Sequence, residues 1–132
     1  KKQIPLSDII ITSCLHQEVP LFISLFQASL FFIRPTFSKT ASSPTKQGEI
    51  MSLGVPIICN AGVGDTDFVI EQYQAGEIVD DFNATAYQKA IENILNTQYD
   101  KNQIIRGAEE FYSLKTGAER YWEVYRRLLG VG

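Results

Sequence analysis

Short runs of aliphatic, mostly β-branched residues alternate along this chain with segments of helical periodicity. Continuous apolar runs of this kind are typical of strands buried on both faces, and their alternation with helices is typical of a parallel sheet covered by helices. The sequence therefore predicts an α/β domain, a three-layer α/β/α sandwich with a mainly parallel sheet of about four strands. The runs predicted to be strands are Asp8–Ser13, Leu30–Ile33, Val55–Cys59 and Glu77–Val79.

Helices are predicted between and after these runs. Apolar residues at Val19, Phe22, Ile23 and Phe26 repeat with helical spacing, and the proline at position 20 is tolerated because it falls in a first turn. The strand before this helix and the strand after it should form a βαβ unit, paired side by side, or leave an edge that a second copy of the chain covers. Further helices are predicted from Pro44 to Gly54, from Thr66 to Tyr73, after a cap at Asn83, from Lys101 to Tyr112, and from Ala118 to Leu129.

The last of these helices carries three aromatic residues, Tyr121, Trp122 and Tyr125, and a Glu123/Arg127 pair one turn apart. We expect the aromatic side chains to pack in the core and the two charged side chains to form an ion pair.

Composition excludes several classes of function. The 132 residues include 12 basic and 15 acidic side chains, a net charge of −3, and the basic residues are scattered. This balance argues against a nucleic-acid binder. The apolar stretch from Pro20 to Ile33 is interrupted by polar residues and too short to span a membrane, so it is expected to lie in the core of a single domain, residues 1–132.

The cysteines and the first residue bear on the cellular setting. Cys14 and Cys59 lie in strand-like surroundings, which predicts two buried thiols in a reducing cytoplasm rather than a disulfide. Two separated cysteines and one histidine lack the spacing of a metal site. No leader peptide is visible. The chain starts at Lys1, and its one methionine is Met51, so we expect a processed or excised product.

The strongest candidate site follows the second predicted strand. Ligands of parallel sheets bind at the carboxyl ends of strands, where the loop Pro35–Ser43 leads into a helix. Ser43 is predicted to cap that helix, and the first free amides, at Thr45 and Lys46, would seat a phosphate. Glu49 lies one turn later on the same face, where its carboxylate could accept hydrogen bonds from a ribose diol. The pattern equally fits a capped surface helix with a Lys46/Glu49 ion pair.

The second candidate loop, Asn60–Asp65, contains Gly62 and Gly64. It is either an anion-binding nest or a plain turn, and Asp65 is predicted to cap the helix that follows. The chain's one imidazole, His16, is predicted to cap a helix or lie on the surface. No arrangement of nucleophile, base and acid is visible, so catalytic residues stay unassigned.

The longer string SSPTKQGEIMSLGVPII, residues 42–58, closely resembles the nucleotide-sugar-binding segment of retaining GT-B glycosyltransferases of the group 1 type. The resemblance continues through Gly62, Gly64 and Gly76 and covers most of the chain. It implies a Rossmann-like, donor-binding C-terminal domain that takes a UDP- or GDP-sugar and needs neither cofactor nor metal. It also implies that Glu49 binds the ribose hydroxyls and that amides at Thr45 and Lys46, next to Ser43, contact the diphosphate. The loop of Gly62 and Gly64 would border the cleft.

Two departures from the family pattern affect what the resemblance implies. Many members carry a glutamate eight residues before the ribose-binding one, facing the donor sugar, and this chain has Ala41 there. The family's first two βα units, with a basic pair for the phosphates, have no counterpart. We therefore expect a truncated C-terminal part of a polysaccharide-building enzyme, cytoplasmic or peripheral to a membrane through the missing N-terminal domain. That domain would bind a glycan or lipid-linked acceptor.

Two other functions stay open at this point. One is a non-catalytic α/β interaction or regulatory module, in which the start of the helix at Pro44 is only capped. The other is a GT-B sugar-nucleotide epimerase. An unpaired edge of the sheet would also allow a homo-oligomer.

Overall fold

The computed structural model describes residues 4–130 and contains three strands and six α-helices in that range. The strands are β1 (Ser29–Leu30), β2 (Ile57–Asn60) and β3 (Gly76–Val79). The helices are α1 (Val19–Ser24), α2 (Thr45–Met51), α3 (Thr66–Gln72), α4 (Ala84–Asn96), α5 (Lys101–Phe111) and α6 (Leu114–Leu129). Single turns of 3₁₀ helix lie at Leu6–Asp8, His16–Glu18 and Phe37–Lys39.

The sheet is parallel, with the order β1-β2-β3, and helices cover both of its faces. This confirms the predicted α/β class. The central strand β2 directs successive side chains to opposite faces, as the pleat requires. Ile57 and Cys59 belong to the larger core cluster, formed with α1, α2, α3 and α5, and Ile58 belongs to the smaller cluster under α4. Every residue of β2 is buried, which explains why its first three residues, Ile57–Cys59, are apolar.

The predicted strand Asp8–Ser13 is wrong, and so is the count of about four strands. Leu6–Asp8 forms a 3₁₀ turn, residues 9–13 have no regular structure, and Ile10 and Ile11 are 89% and 93% exposed. A strand exists only where a neighbouring backbone offers a ladder of hydrogen bonds. In the described part of the chain no strand pairs with this run, so the βαβ unit predicted there does not form.

The stretch from Pro20 to Ile33 was expected in the core and is mostly exposed. Helix α1 forms with its proline in the first turn, as predicted, but Ile23 is its one buried residue. Leu21, Leu25 and Phe26 are exposed, because Leu21 lies on the side of α1 away from Ile23 and the other two residues follow the end of the helix. None of the helices in residues 4–130 is both long and apolar enough to cross a bilayer.

The edge strand β1 is shorter than predicted, and a side chain continues its pairing. The ladder with β2 runs through Ser29 and Leu30, and the Phe31 amide still donates to the Ile58 carbonyl at 3.1 Å. Beyond that point the Asn60 side chain replaces the backbone. Its Oδ1 accepts from the Ile33 amide at 2.7 Å and its Nδ2 donates to the Ile33 carbonyl at 2.8 Å.

Helix bounds are predicted well where a cap or a glycine signals them. Asn83 caps α4, with its Oδ1 accepting from the Ala86 amide at 2.9 Å, and α3 and α5 begin at the predicted residues. By contrast α2 begins at Thr45, with Pro44 as its N-cap, and Ser43 makes no capping bond to it. Gly54, beyond the end of α2, has the expected left-handed backbone, with φ +69°.

Helix α6 differs most from expectation. It begins at Leu114 rather than Ala118, capped by the Ser113 hydroxyl, and none of its residues is buried. The expected core packing of its aromatic residues is therefore wrong, and the predicted Glu123/Arg127 ion pair does not form.

The two cysteines are both free thiols, but they lie in different surroundings. Cys59 is fully buried in β2, as predicted, whereas Cys14 is exposed because the strand predicted beside it is absent. Burial, with a smaller contribution from the Asp67 carboxylate, raises the pKa of the Cys59 thiol from 9.0 to about 12.

We expect Cys14 alone to react with a disulfide reagent in the native chain at about pH 8, because the buried Cys59 thiol stays protonated there. A stoichiometric thiol assay should count one thiol per native chain and two after unfolding. The stability that protonated Cys59 contributes is present below its unfolded pKa and should be lost as the pH rises from 9.0 towards about 12. Two reactive thiols in the native chain would contradict the burial of Cys59.

Candidate functional site

The two loops singled out by the sequence lie against each other at the carboxyl end of the sheet. Gly64 has φ +49°, and a Cβ built on it would lie 1.7 Å from the Ser42 carbonyl oxygen. A Cβ on Gly62 would lie 3.7 Å from the Pro35 side chain. The loop after β2 thus packs directly on the backbone that leads into α2, and this close approach requires glycine.

The start of α2 presents exposed polar groups. Ser43, Thr45 and Lys46 are all exposed, and Pro44 precedes the first turn with an extended backbone. Thr45 and Lys46 occupy the first two helical positions, where backbone amides have no acceptor within the helix. The predicted binding residues therefore stand together on the surface, although Ser43 does not cap the helix.

Glu49 lies one turn into α2 and faces the same side as Lys46. The Lys46 Nζ and Glu49 Oε2 atoms are 2.7 Å apart, and the two side chains are 66% and 44% exposed. Such an exposed pair contributes little to stability, so either partner can exchange it for a ligand at small cost. This geometry confirms that Lys46 and Glu49 share one face of α2. The two side chains also form the ion pair expected if α2 is only a capped surface helix.

A groove of about 530 Å³ separates α2 from the C-terminal part of α5, and Glu49 stands on its edge. Its volume lies within the range of small-molecule sites. The groove has room because α2 and α5 line it with small residues, Gly48 and Ala108. The complete lining is Thr45, Gly48, Glu49, Ser52, Ile105, Ala108, Glu109, Tyr112 and Ser113.

Tyr112 closes one end of this groove. A Cβ on Gly48 would lie 2.6 Å from the Tyr112 ring, so the ring rests directly on the backbone of α2. Desolvation by burial raises the pKa of the Tyr112 hydroxyl to about 12. The group is therefore a neutral hydrogen-bonding group at physiological pH.

Four buried side-chain atoms of the described residues have no hydrogen-bond partner: Gln47 Oε1, Thr66 Oγ1, Asp67 Oδ1 and the Tyr112 hydroxyl. They belong to residues at the starts of α2 and α3 and to the residue after α5. The Gln47 Nε2 donates to the Thr66 carbonyl at 3.4 Å and so connects α2 to α3. Buried polar atoms are normally satisfied, so these four are exceptions. Of the four residues, Tyr112 is the one that lines the groove.

The glycine loop is closed as a turn. The Gly62 amide donates to Asp67 Oδ2 at 3.1 Å, so it is not free to bind an anion. Asp65 occupies the N-cap position of α3 as predicted, but its side chain makes no capping bond. His16 is exposed in a 3₁₀ turn, as predicted, with no strand before it. Within residues 4–130 no three His, Cys, Asp or Glu residues converge as metal ligands would.

Sequence patterns missed three residues that shape this site. Gln47 and Tyr112 were assigned no role, and Asn60 was named only as the first residue of the candidate loop Asn60–Asp65. In the structure Asn60 joins β2 to the residues after β1, Gln47 joins α2 to α3, and Tyr112 rests on α2. Asn60 carried a signal, because it is the polar end of the otherwise apolar run Ile57–Asn60 and stands where ligands of parallel sheets bind.

Comparison with known proteins gives one result. The model of the family described as "Glycosyl transferases group 1" matches residues 11–111, which include β1 to β3, α1 to α5 and every candidate binding residue. No curated protein sequence and no solved structure gave a significant match.

Proposed function

Because the chain belongs to the glycosyl transferases group 1 family, we propose that it is the donor-binding part of a retaining glycosyltransferase whose donor is a UDP- or GDP-sugar. The observation that carries the proposal is the position of Glu49, at the edge of the groove and 2.7 Å from the Lys46 ammonium at the start of α2. A carboxylate and a cation side by side match the two ends of a nucleoside diphosphate, its ribose hydroxyls and its phosphates.

The lining of the groove supports placing the ribose there. Its two charged residues are Glu49 and Glu109, and both can only accept hydrogen bonds when ionised. Such a surface attracts hydroxyl groups and repels phosphate. The diphosphate would therefore lie beyond the groove, against Lys46 and the first amides of α2.

In the proposed reaction, the diphosphate leaves as the sugar is transferred. The amides of Thr45 and Lys46 and the Lys46 ammonium would stabilise the negative charge that develops on the leaving oxygen. That oxygen would take the proton of the acceptor hydroxyl, so the described residues need supply no separate base. Ala41 in place of a carboxylate means that α2 and its loop offer few contacts to the sugar ring itself.

The acceptor would be a glycan or a lipid-linked sugar bound by a part of the enzyme outside this chain. Transfer requires two substrates to be oriented in one cleft, and that orientation supplies much of the rate. We accordingly expect the chain by itself to bind the donor nucleotide weakly and to catalyse no sustained transfer.

Glu49→Ala should weaken binding of UDP or GDP by roughly tenfold to a hundredfold, the effect of losing a charge-assisted hydrogen bond of about 1.5 to 3 kcal/mol. Inorganic pyrophosphate, which has no ribose, should bind at least as well as before. Glu49→Ala removes the ion-pair partner of Lys46, so the Lys46 ammonium stays available to bind phosphate. Isothermal titration calorimetry with each ligand measures both effects.

Glu71→Ala is the matched control, since it removes an exposed carboxylate from α3, outside the groove. It should leave all three affinities unchanged. Equal losses for nucleotide and pyrophosphate in Glu49→Ala, or no loss for either, would reject the ribose role. A wild-type chain that binds neither nucleotide would instead favour an interaction module, and product analysis with the whole enzyme would distinguish a transferase from an epimerase.

A further inference from the structure

Asn60 is a buried polar residue at the carboxyl end of the central strand β2, and only 2% of it is exposed. Its side chain bonds backbone atoms alone. The Oδ1 accepts from the Ile33 amide at 2.7 Å, and the Nδ2 donates to the carbonyls of Ile33 and Ala61 at 2.8 and 2.9 Å. Both donor hydrogens of the amide are thus in use. A buried amide satisfied in this way fixes the backbone segments that it joins.

The segment that Asn60 holds, residues 34–42, has few other links to the rest of the protein. Within the described residues 4–130, the hydrogen bonds of this segment all stay inside it. Its largest side chain, Phe37, is 96% exposed and anchors nothing. The two bonds between Asn60 and Ile33 are therefore the last hydrogen-bonded link between the sheet and the segment, which continues to the start of α2.

The loop after β2, in contrast, is firmly attached. The Ala61 amide donates to the Val79 carbonyl at the end of β3 at 3.1 Å. The Gly62 amide donates to Asp67 Oδ2 in α3, also at 3.1 Å. Hydrogen bonds to two neighbouring elements hold this loop in place, so Asn60 ties the weakly attached segment 34–42 to a fixed support.

The two stretches of chain meet at three points. Every second residue of the loop after β2 lies next to the other stretch, and the pairs are Asn60 with Ile33, Gly62 with Pro35, and Gly64 with Ser42. The two glycine contacts are close packing, which prevents the chains from coming nearer but does little to stop them separating. Hydrogen bonds are directional and resist both movements. Asn60 therefore determines where the segment begins its path to α2.

We propose that Asn60 is a positioning residue for the diphosphate. By holding Ile33 it fixes the segment 34–42, and through it the residues proposed to bind the phosphates, which are Ser43, Thr45 and Lys46. This inference rests on the proposed function. Asn60 does not bind the ligand itself, since backbone atoms occupy its polar groups. When the segment is released, ordering it becomes part of each binding event and lowers the apparent affinity.

Two substitutions remove this link in different ways. Asn60→Asp keeps an acceptor for the Ile33 amide but, when ionised, has no hydrogen to donate to the carbonyls. Asn60→Ser shortens the side chain without adding a charge. For each variant, under conditions where circular dichroism shows it folded, we expect the dissociation constants of pyrophosphate and of UDP or GDP to rise by the same factor, about tenfold. The equal factor distinguishes this effect from that of Glu49→Ala, which should spare pyrophosphate.

Asn93→Asp and Asn93→Ser are the matched controls. The Nδ2 of half-buried Asn93 donates to Glu77 Oε2 at 2.8 Å and joins α4 to β3. The same substitutions at this position remove a side-chain hydrogen bond, and the aspartate also places two carboxylates together, so both controls destabilise the chain. They leave the segment 34–42 untouched and should bind pyrophosphate and nucleotide like the wild type.

Trypsin measures the order of the segment directly, because Lys39 lies exposed within it. Cleavage after Lys39 should be about tenfold faster in the Asn60 variants, since cleavage follows the population of the open segment, and unchanged in the Asn93 variants. Coupling between two equilibria is reciprocal, so saturating pyrophosphate or UDP should slow this cleavage in the wild-type chain. The wild-type measurement does not require any variant to fold.

Four results would overturn the inference and leave the proposed function intact. They are equal affinities in the wild type and the Asn60 variants, equal losses in the Asn60 and Asn93 variants, a loss for nucleotide that spares pyrophosphate, and cleavage after Lys39 that bound UDP or GDP does not slow. A wild-type chain that binds neither nucleotide would overturn the proposed function and this inference with it.

Discussion

Replacing Gly76 by alanine is expected to cost about 4 kcal/mol or more of the free energy of unfolding, a large part of the 5 to 15 kcal/mol typical of a domain. A Cβ at this position would lie 1.8 Å from the Ile57 carbonyl oxygen and 2.6 Å from the Ile57 amide nitrogen. Both atoms belong to the central strand β2. That strand is held in register with β3, with Ile57 opposite Gly76, and cannot withdraw without breaking the ladder. The backbone of Gly76, at φ +148°, is also one that side chains rarely adopt.

Urea unfolding followed by far-ultraviolet circular dichroism measures this loss. The matched control is Gly130→Ala, because Gly130 also has a positive φ, +65°, but no heavy atom lies within 4 Å of its Cβ position. Its effect should stay near the cost of local strain, about 1 kcal/mol. If Gly76→Ala and Gly130→Ala shift the midpoint of urea unfolding equally, the close approach of β3 to β2 is not the reason that position 76 requires glycine.

Gly64→Ala should separate the two loops of the candidate site. The alanine Cβ would lie 1.7 Å from the Ser42 carbonyl oxygen, so the backbone leading to Thr45 must move. We expect a loss of about 3 kcal/mol in stability. Amide hydrogen exchange should become faster in residues 42–47, and the affinity for UDP or GDP should fall by more than tenfold as the start of α2 moves.

Gly62→Ala is a control within the same loop. Its φ is also positive, +80°, but its Cβ would make an ordinary contact of 3.7 Å with Pro35. Strain alone should cost about 1 to 2 kcal/mol and leave hydrogen exchange around Ser42 unchanged. Equal exchange rates at residues 42–47 in the two variants would show that the loops are not coupled through Gly64. The comparison of hydrogen-exchange rates does not depend on the proposed nucleotide site.

Signals that act within a few residues were interpreted correctly from the sequence. The cap at Asn83 marks the start of α4, and the left-handed Gly54 follows the end of α2. The shared face of Lys46 and Glu49 follows from their spacing in a helix. Each of these features depends on backbone geometry and on residues nearby in the chain, so the local sequence is enough to predict it.

Signals that depend on a distant partner were misinterpreted. The run Asp8–Ser13 has the composition of a buried strand, and α6 has the stripe of a core helix, yet both are exposed. An apolar pattern indicates that burying a surface would lower the free energy, but it does not indicate which element buries that surface. The predicted Ser43 cap is an exception among the local signals, because Pro44 takes the capping position in the structure.

The sequence by itself determined the α/β class, the bounds of α3 and α5 to within one residue, and the family string that holds the candidate binding residues. The tertiary structure alone decided that Asn60 extends the sheet, that Tyr112 rests on Gly48 beside the groove, and that Gly64 and Ser42 touch. The physical reason is range. Helix bounds depend on interactions over about four residues, whereas these contacts join residues that are far apart in the chain and meet only when the elements pack.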